Sequence, residues 1–423
     1  MTSLLDRPLI SRWTSPAPTS SQPPAARTEG PVRRMPLVVS LLLAAGTTSW
    51  VGINHGAGFA ALLIVGLLLG FALFHSRFGF TSAWRQLISV GNGTGMRAHT
   101  VLLGTAASLV MLIAASGVGL FGATPSPKAS PIGLALFVGA TLFAIGMQLG
   151  GACASGTLFA VGSGQSSVMV TLLGFIAGSV IYTAAYPAFS GWPQLPGVLL
   201  KDDLGWGGAW AATILALIIV YTITRVVQAR RNPPPVDAVP TTRGPARIVR
   251  GSWSLTAGAI VLGVLAGAVI LVSGSTWGVT FAFALWGAKF LQLIGLHPEA
   301  WEFWQQAKNA HALASSAWTD KTTLTDVGII IGAAAASAAA GAWKFKASIP
   351  GRTIVASLLG GMLMGVGARL AGGCNIGAYL SGISVGNLSG WIWAGFAMIG
   401  TWIGLKLRPL FGLGKPAPTD SVF

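Results

Sequence analysis

Two short segments of this chain share one pattern and contain its only two cysteines. The segments read GGACASG at residues 150–156 and AGGCNIG at residues 371–377, with Cys153 and Cys374 at the same place in each. When the segments are aligned on these cysteines, the flanking residues also correspond. A repeat that keeps its rarest residue type at one fixed place predicts a single site built from two related halves.

Glycines interrupt both cysteine segments. Each glycine costs a helix about 1 kcal/mol relative to alanine, so these clusters predict breaks. Irregular backbone at membrane depth survives only where protein or a water-filled cavity satisfies its polar groups. Short helices that begin near Ser155 and Ile376 would present free N–H groups and partial positive charge to an anion. We therefore place Gly151 and Gly373 on the predicted pathway.

Composition predicts a membrane protein. The 423 residues are 53% hydrophobic and 9% charged, with a mean hydropathy of +0.70, whereas a soluble domain carries about 25% charged residues. We predict an all-α polytopic membrane protein, because helices satisfy their own backbone hydrogen bonds in lipid. About ten stretches are apolar enough to cross roughly 30 Å of hydrocarbon, near residues 36–53, 57–75, 99–122, 131–150, 166–187, 207–227, 254–273, 325–342, 353–371 and 388–405.

Basic residues flank the apolar stretches and set the predicted orientation. The net charge is +16, but the basic residues form no stripe beside stacking aromatics. We therefore expect topology signals and attraction to anionic membrane lipid, and no nucleic-acid binding. Residues 1–35 carry five arginines and predict a disordered cytoplasmic tail, and ten spans return the tail at 407–423 to the same side. The predicted first half covers 36–206, and the second covers 207–406 with a basic cytoplasmic linker at 228–252.

A second repeated motif extends the correspondence between the halves. Gly79-Phe80-Thr81 follows the second span, and Gly278-Val279-Thr280 follows the seventh. Corresponding spans are therefore five apart, and an odd number makes the halves run in opposite directions across the bilayer. This pattern predicts an inverted-topology repeat with short re-entrant helices and a site near its pseudo-twofold axis.

A segment at 298–318, between the seventh and eighth spans, is not apolar enough to cross. Trp301 and Trp304 lie one helical turn apart there among glutamate, glutamine and lysine residues. This pattern predicts one amphipathic helix at the membrane interface.

Polar side chains around the repeated motifs indicate what the site would bind. No Asp or Glu occurs in the four motif segments, while Gln148 and Arg369 occupy the same place before the two cysteines. The pattern favours an anion or a neutral solute. Arg369 could serve the pathway, anchor a loop carbonyl or extend to the interface. Thr81 and Thr280 could line the pathway or cap helices, and Asn375 offers amide donors.

The cysteines allow two kinds of chemistry. A neutral thiol is a weak donor and a polarizable contact, which suits a species that must bind and then leave. A helix N-terminus could instead activate the thiol for nucleophilic or redox chemistry, although neither motif contains a His, Asp or Glu as a base. The two cysteines have no zinc-binding spacing, and we predict neither a metal nor a cofactor.

Together the cysteine motifs and the Gly-apolar-Thr motifs resemble the YeeE/YedE family of sulfur-transport membrane proteins, which includes thiosulfate permeases. The resemblance covers roughly residues 57–405. It implies an hourglass-shaped bundle in which Cys153 and Cys374 match two family cysteines at the constriction and pass thiosulfate through transient thiol contacts. The family's thiosulfate permeases carry a third cysteine in the first-half hairpin, where this chain has Thr81.

The leading hypothesis is a bacterial inner-membrane permease, and not an enzyme, that takes up thiosulfate or a related small sulfur-containing anion. The resemblance implies a small cytoplasmic sulfurtransferase as a partner that consumes the substrate. Two alternatives stay open, a membrane-embedded thiol redox protein and a channel for another small solute.

Overall fold

The computed structural model describes residues 30–233, 244–345 and 349–414. Most of the predicted N-terminal tail, the middle of the predicted linker and residues 415–423 of the predicted C-terminal tail lie outside the described residues. In chain order, the helices that build the core are α1 Arg34–His55, α2 Ala57–Ser76, α3 Phe80–Val90, α4 Thr94–Ser116, α5 Leu134–Gly150, α6 Ala154–Gly162, α7 Ser166–Ala184, α8 Leu200–Arg231, α9 Leu255–Ser273, α10 Thr280–Leu293, α11 Lys321–Ala339, α12 Gly351–Leu370, α13, which is a π-helix over Asn375–Leu380 continued as an α-helix over Ser381–Ser384, and α14 Leu388–Leu407.

Ten of these helices are long and apolar enough to cross a membrane, counted over the described residues. They correspond in order to the ten predicted stretches, so the prediction of an all-α polytopic membrane protein is confirmed. The third stretch is displaced at both ends, because the sequence predicts it at 99–122 and it forms α4 from Thr94 to Ser116. Gly117 ends that helix with a φ of +67°, a left-handed conformation that glycine adopts without penalty.

Four helices, α3, α6, α10 and α13, are too short to cross. The first three have 11, 9 and 14 residues, so at 1.5 Å per residue even the longest reaches only about 21 Å, against roughly 30 Å of hydrocarbon. Each of the four begins within one of the repeated motifs. The short helices that the motifs predict are therefore present, although the π-helical turn of α13 was not predicted.

The remaining elements of the described residues are one short α-helix at Ala307–Ala314, several single turns and one pair of very short strands. The strands Ile132–Gly133 and Gln194–Leu195 pair antiparallel. The turns are α-helical at Pro187–Ser190, Ala246–Val249 and Glu302–Gln305, and 3₁₀-helical at Pro298–Ala300, Ala317–Thr319 and Arg408–Phe411.

The prediction of one amphipathic helix over 298–318 is wrong. The backbone is extended at Trp301 and Gln306, which divides the segment into short helical turns. The breaks allow Phe303 and Trp304 to turn inward, where both side chains are buried in a cluster with the end of α7. Packing against the protein has therefore overridden the helical period of the sequence.

Glycines bring the backbones of α5 and α12 into contact. A Cβ atom at Gly146 would overlap the carbonyl oxygen of Gly360, and one at Gly367 would lie 2.6 Å from the carbonyl oxygen of Gly139. Side chains do not approach backbone so closely, so both contacts require glycine. The alignment of the halves pairs Gly139 with Gly360 and Gly146 with Gly367. Exchanging the two halves therefore turns the contact of Gly146 with Gly360 into the contact of Gly367 with Gly139.

The same exchange holds for other helix pairs. Helix α7 packs on α12, and the corresponding helix α14 packs on α5. Helix α2 packs on α11, and α9 packs on α4. Helix α1 also packs on α11, and α8 packs on α4. In the second of these sets Gly66 lies against the Thr325 backbone, and Gly263 lies against the Thr105 side chain. These paired helix contacts agree with two related halves. The inverted relation of the halves and their direction across a membrane stay predictions.

Candidate functional site

Each cysteine caps the short helix that follows it. The Cys153 Sγ accepts a hydrogen bond of 3.4 Å from the Gly156 N–H in the first turn of α6. The Cys374 Sγ accepts one of 3.4 Å from the Ile376 N–H in the first turn of α13. Both thiols are free, and neither residue is more than 1% exposed. The cysteines therefore hold the N-terminal ends of two helices, where backbone N–H groups point away from the helix.

The two cysteine segments meet in the core of the molecule. Cys153 and Cys374 belong to one continuous buried cluster, and α6 contacts α13. The backbone of Phe80, at the start of α3, lies within hydrogen-bonding reach of the Cys153 thiol. Both repeated motifs of the first half thus converge on one cysteine, next to the cysteine of the second half.

Glycines beside the cysteines have different surroundings. Gly151 and Gly372 correspond in the two halves, have φ values of +83° and +70°, and have no atom within 4 Å of a Cβ built on them. Both are exposed. Gly373 has a φ of +156° and is buried, with the Ala378 nitrogen 2.7 Å from such a Cβ. Open space therefore lies beside Gly151 and Gly372, while Gly373, which the sequence predicts on the pathway, shapes the turn.

The residues that precede the cysteines contact the Gly-apolar-Thr motifs in both halves. The Arg369 Nη2 donates a hydrogen bond of 2.7 Å to the Thr280 Oγ1, and its guanidinium lies 5.9 Å from the centre of the Phe281 ring. In the first half, the Gln148 Nε2 lies 3.5 Å from the Thr81 carbonyl oxygen. Each half therefore joins the same two motif positions, with a charged group in one half and a neutral amide in the other.

A second arginine, Arg408, reaches the first-half motif from the end of α14. Its Nη1 donates a hydrogen bond of 2.7 Å to the Gln148 carbonyl oxygen, and its Nε donates one of 3.1 Å to the Gly414 carbonyl oxygen. The sequence suggests only a role for Arg408 in topology. Nothing near Arg408 in the chain indicates its contact with Gln148, because the two residues are 260 positions apart.

Several buried polar atoms around the cysteines have no hydrogen-bond partner among the described residues. They are the Thr81 Oγ1, the Gln148 Oε1, the Arg369 Nε and both amide atoms of the Asn375 side chain. Such atoms are rare in proteins, because each unpaired group costs about 1–3 kcal/mol. The predicted site residues therefore include unused donors and acceptors that a polar solute would satisfy.

Aromatic rings pack together beside α13. Tyr379 stacks on Trp393 with ring centroids 6.1 Å apart, and it meets Trp84 edge to face at 5.5 Å. The Trp84 Nε1 donates to the His99 Nδ1 at 3.3 Å. The sequence does not predict this group, because its members come from four different helices. The rings give the site apolar walls, which strengthen electrostatic interactions inside it.

Among the residues that the structure describes, no group of three or more His, Cys, Asp or Glu side chains is placed to hold a metal ion. The groups at the predicted site are thiols, amides, hydroxyls, a guanidinium group and helix N-termini.

The motifs and their arrangement fall within one known family. A family model described as sulphur transport matches residues 75–403, which include both cysteine motifs and both Gly-apolar-Thr motifs. The chain belongs to the sulphur transport family. The resemblance that the motifs indicate is therefore confirmed, and a membrane protein of this family is a transporter of sulfur compounds.

Two relatives of known name align over most of this chain, and a third aligns over part of it. The thiosulfate transporter TsuA of Spirochaeta thermophila is 27% identical over 357 residues, which are 80% of this chain and 96% of the relative. TsuA of Escherichia coli is 25% identical over 348 residues, which are 80% of this chain and 92% of the relative. The probable transporter YedE of Escherichia coli is 34% identical over 161 residues, which are 38% of this chain and 39% of the relative.

Proposed function

We propose that this protein takes up thiosulfate, or a closely related small sulfur-containing anion, across the bacterial inner membrane. The two relatives named as thiosulfate transporters each cover 80% of the chain. The predicted pathway passes Cys153 and Cys374, with both chain termini in the cytoplasm. The basic residues that flank the membrane spans are proposed to contact anionic membrane lipid.

The observation that carries the proposal is the set of unpaired buried polar atoms beside two cysteine-capped helices. The N-termini of α6 and α13 supply N–H donors and partial positive charge, which favour an anion. Arg369 adds a full positive charge next to Thr280. Asn375 supplies amide donors, and Thr81 and Gln148 supply a free hydroxyl and amide oxygen.

The thiols would make the transient contacts. A thiol is a weak donor and a polarizable group, and transport requires binding that is weak enough for release. The side chain that contacts the Cys153 Sγ is the Ser155 hydroxyl at 3.6 Å, which is not a general base. This contact favours permeation over thiol redox chemistry.

The pathway proposal includes a direction. If the halves are inverted in the membrane, the space beside Gly151 opens to one side and the space beside Gly372 opens to the other. The domain boundaries at residues 206 and 406 then separate the two halves and the C-terminal tail. A cytoplasmic sulfurtransferase that consumes the anion is the proposed partner on the inner side.

Uptake of labelled thiosulfate into cells that lack other uptake systems tests the proposal. We expect uptake by the wild type, and loss of uptake in Cys374→Ala and Cys153→Ala at equal membrane expression. Ser116→Ala, at the exposed end of α4, is the matched control. Undiminished uptake in both cysteine variants would exclude the cysteine pathway. A parallel panel of sulfate, sulfite and selenite identifies the substrate class.

A further inference from the structure

Asp326 in α11 is a buried carboxyl group that the proposed pathway does not use. The residue is 0% exposed. Neither carboxylate oxygen has a hydrogen-bond partner among the described residues. An ionised carboxylate without a partner is very costly in a low-dielectric environment. The packing around Asp326 therefore suits the neutral, protonated carboxyl group better than the carboxylate.

Asp326 lies between the two halves of the site. On α11, Thr322 contacts the second-half motif, because its Cγ2 is 3.4 Å from a Cβ built on Gly278. Ile330 contacts α6, because its carbonyl oxygen would overlap a Cβ at Gly162. Residues four apart share one face of a helix, so Asp326 lies on this face between Thr322 and Ile330. It is also within electrostatic range of the Cys374 thiol.

The other titratable groups on and around α11 are engaged elsewhere. The Lys289 Nζ of α10 donates to the Leu313 and Ser315 carbonyl oxygens at 2.9 and 2.7 Å. Helix α6 contains no charged residue. Lys321 contacts Ser275, His75 of α2 contacts Gly251, and His55 of α1 packs on Trp50. Arg34 of α1 lies beside Arg33, whose N–H bonds Ala338 at the far end of α11. Asp320 is the exception, because it accepts from the Thr323 N–H and is also within electrostatic range of Asp326.

We propose that Asp326 is a proton-binding site that couples anion passage to the movement of one proton in the same direction, an inference that rests on the proposed function. An ionised Asp326 would repel an anion beside Cys374, and protonation removes that repulsion. By reciprocity, a bound anion favours the protonated carboxyl group. The Asp326 carboxylate takes up a proton from water on one side of the membrane and forms an O–H bond. This bond breaks when the proton is released to water on the other side. No bond of the transported anion changes.

Purified protein in proteoliposomes provides the test, with the membrane potential held at zero by potassium and valinomycin. Thiosulfate, sulfite and sulfate are supplied singly, and a trapped pH indicator records proton entry with each anion. For any anion that enters, we expect proton entry and, under a one-unit inward pH gradient, accumulation of about tenfold per coupled proton. Asp326→Asn keeps the shape of the neutral carboxyl group, and Asp326→Glu keeps its titration.

We expect Asp326→Asn to transport downhill without proton entry and without accumulation, and Asp326→Glu to retain both. Asp203→Asn, at an exposed position of α8, should behave as the wild type. Anion entry into wild-type vesicles without proton entry would overturn the proposal, even if no Asp326 variant folds. Proton-coupled entry of sulfite or sulfate but not thiosulfate would support Asp326 while refuting the thiosulfate assignment. If none of the three anions brings protons into the vesicles, the proposal of proton coupling at Asp326 is overturned as well.

Discussion

Arg369 donates a hydrogen bond of 2.7 Å to the Thr280 hydroxyl, and this contact joins the second-half cysteine segment to the motif that opens α10. The arginine is partly exposed, and its Nε is buried without a partner among the described residues. The contact therefore positions a guanidinium group that still has a donor available for a solute. At the corresponding place the first half has Gln148, which carries no charge.

Replacement of Arg369 by glutamine, the residue of the other half, should weaken anion uptake. Hydrogen bonds to charged groups contribute about 1.5–3 kcal/mol, so we expect the half-saturating concentration of the anion to rise about tenfold or more. Arg369→Lys should lose less, because it keeps the charge without the planar fork. Initial uptake rates over a range of concentrations measure both. An unchanged half-saturating concentration in Arg369→Gln, with Arg352→Gln as exposed control, would contradict an anion-binding role.

Arg408 should matter for transport although it lies outside every motif. Arg408→Gln removes a positive charge beside Gln148, and we expect a reduction of uptake of severalfold with normal membrane expression. Lys406→Gln is the control, since this nearby exposed lysine faces the Trp402 ring. If both variants lose uptake equally, the effect belongs to the charge of the chain terminus and not to the contact with Gln148.

Thr81 allows a test of the substrate preference. Thr81→Cys restores the third cysteine of the resembling thiosulfate permeases, and we expect the ratio of thiosulfate to sulfate uptake to rise. Thr81→Val keeps the shape but removes the buried unpaired Oγ1, so it should lower the uptake of either anion. Thr222→Val, whose hydroxyl is exposed and bonds within its own helix, controls for the substitution. The same ratio in all four proteins would show that position 81 does not select the anion.

Helix packing between the halves should tolerate no side chain at the α5–α12 contact. Gly146→Ala and Gly367→Ala each place a methyl group against backbone, and overpacking of this kind costs about 1–3 kcal/mol. Gly395→Ala in α14 meets no atom within 4 Å and should keep or slightly raise stability. Thermal unfolding in detergent, followed by size-exclusion chromatography, ranks the three. Equal melting temperatures of the three variants would show that α5 and α12 can move apart to accommodate a side chain.

The sequence predicted those features that depend on local pattern. Ten apolar stretches predict ten helices because hydrocarbon thickness fixes their length, and the glycines at 150–151 and 372–373 predict the breaks. Features that depend on tertiary contact were not predictable. The contact of Arg408 with Gln148 joins two distant segments, and the buried Trp304 broke a helical pattern that its own segment favours. The open space beside Gly151 and Gly372, and the close packing at Gly373, required the structure.

The glycine contacts of α5 with α12 limit how the two halves can diverge in evolution. Each contact uses one glycine from each half, at Gly139 with Gly367 and at Gly146 with Gly360. A mutation at any of the four positions damages a contact to which both halves contribute, so neither half can drift freely there. The corresponding positions Gln148 and Arg369 take no part in this contact and differ in charge. The α5–α12 contact therefore restricts residue choice at four positions, while the polar residues next to the cysteines can differ between the halves.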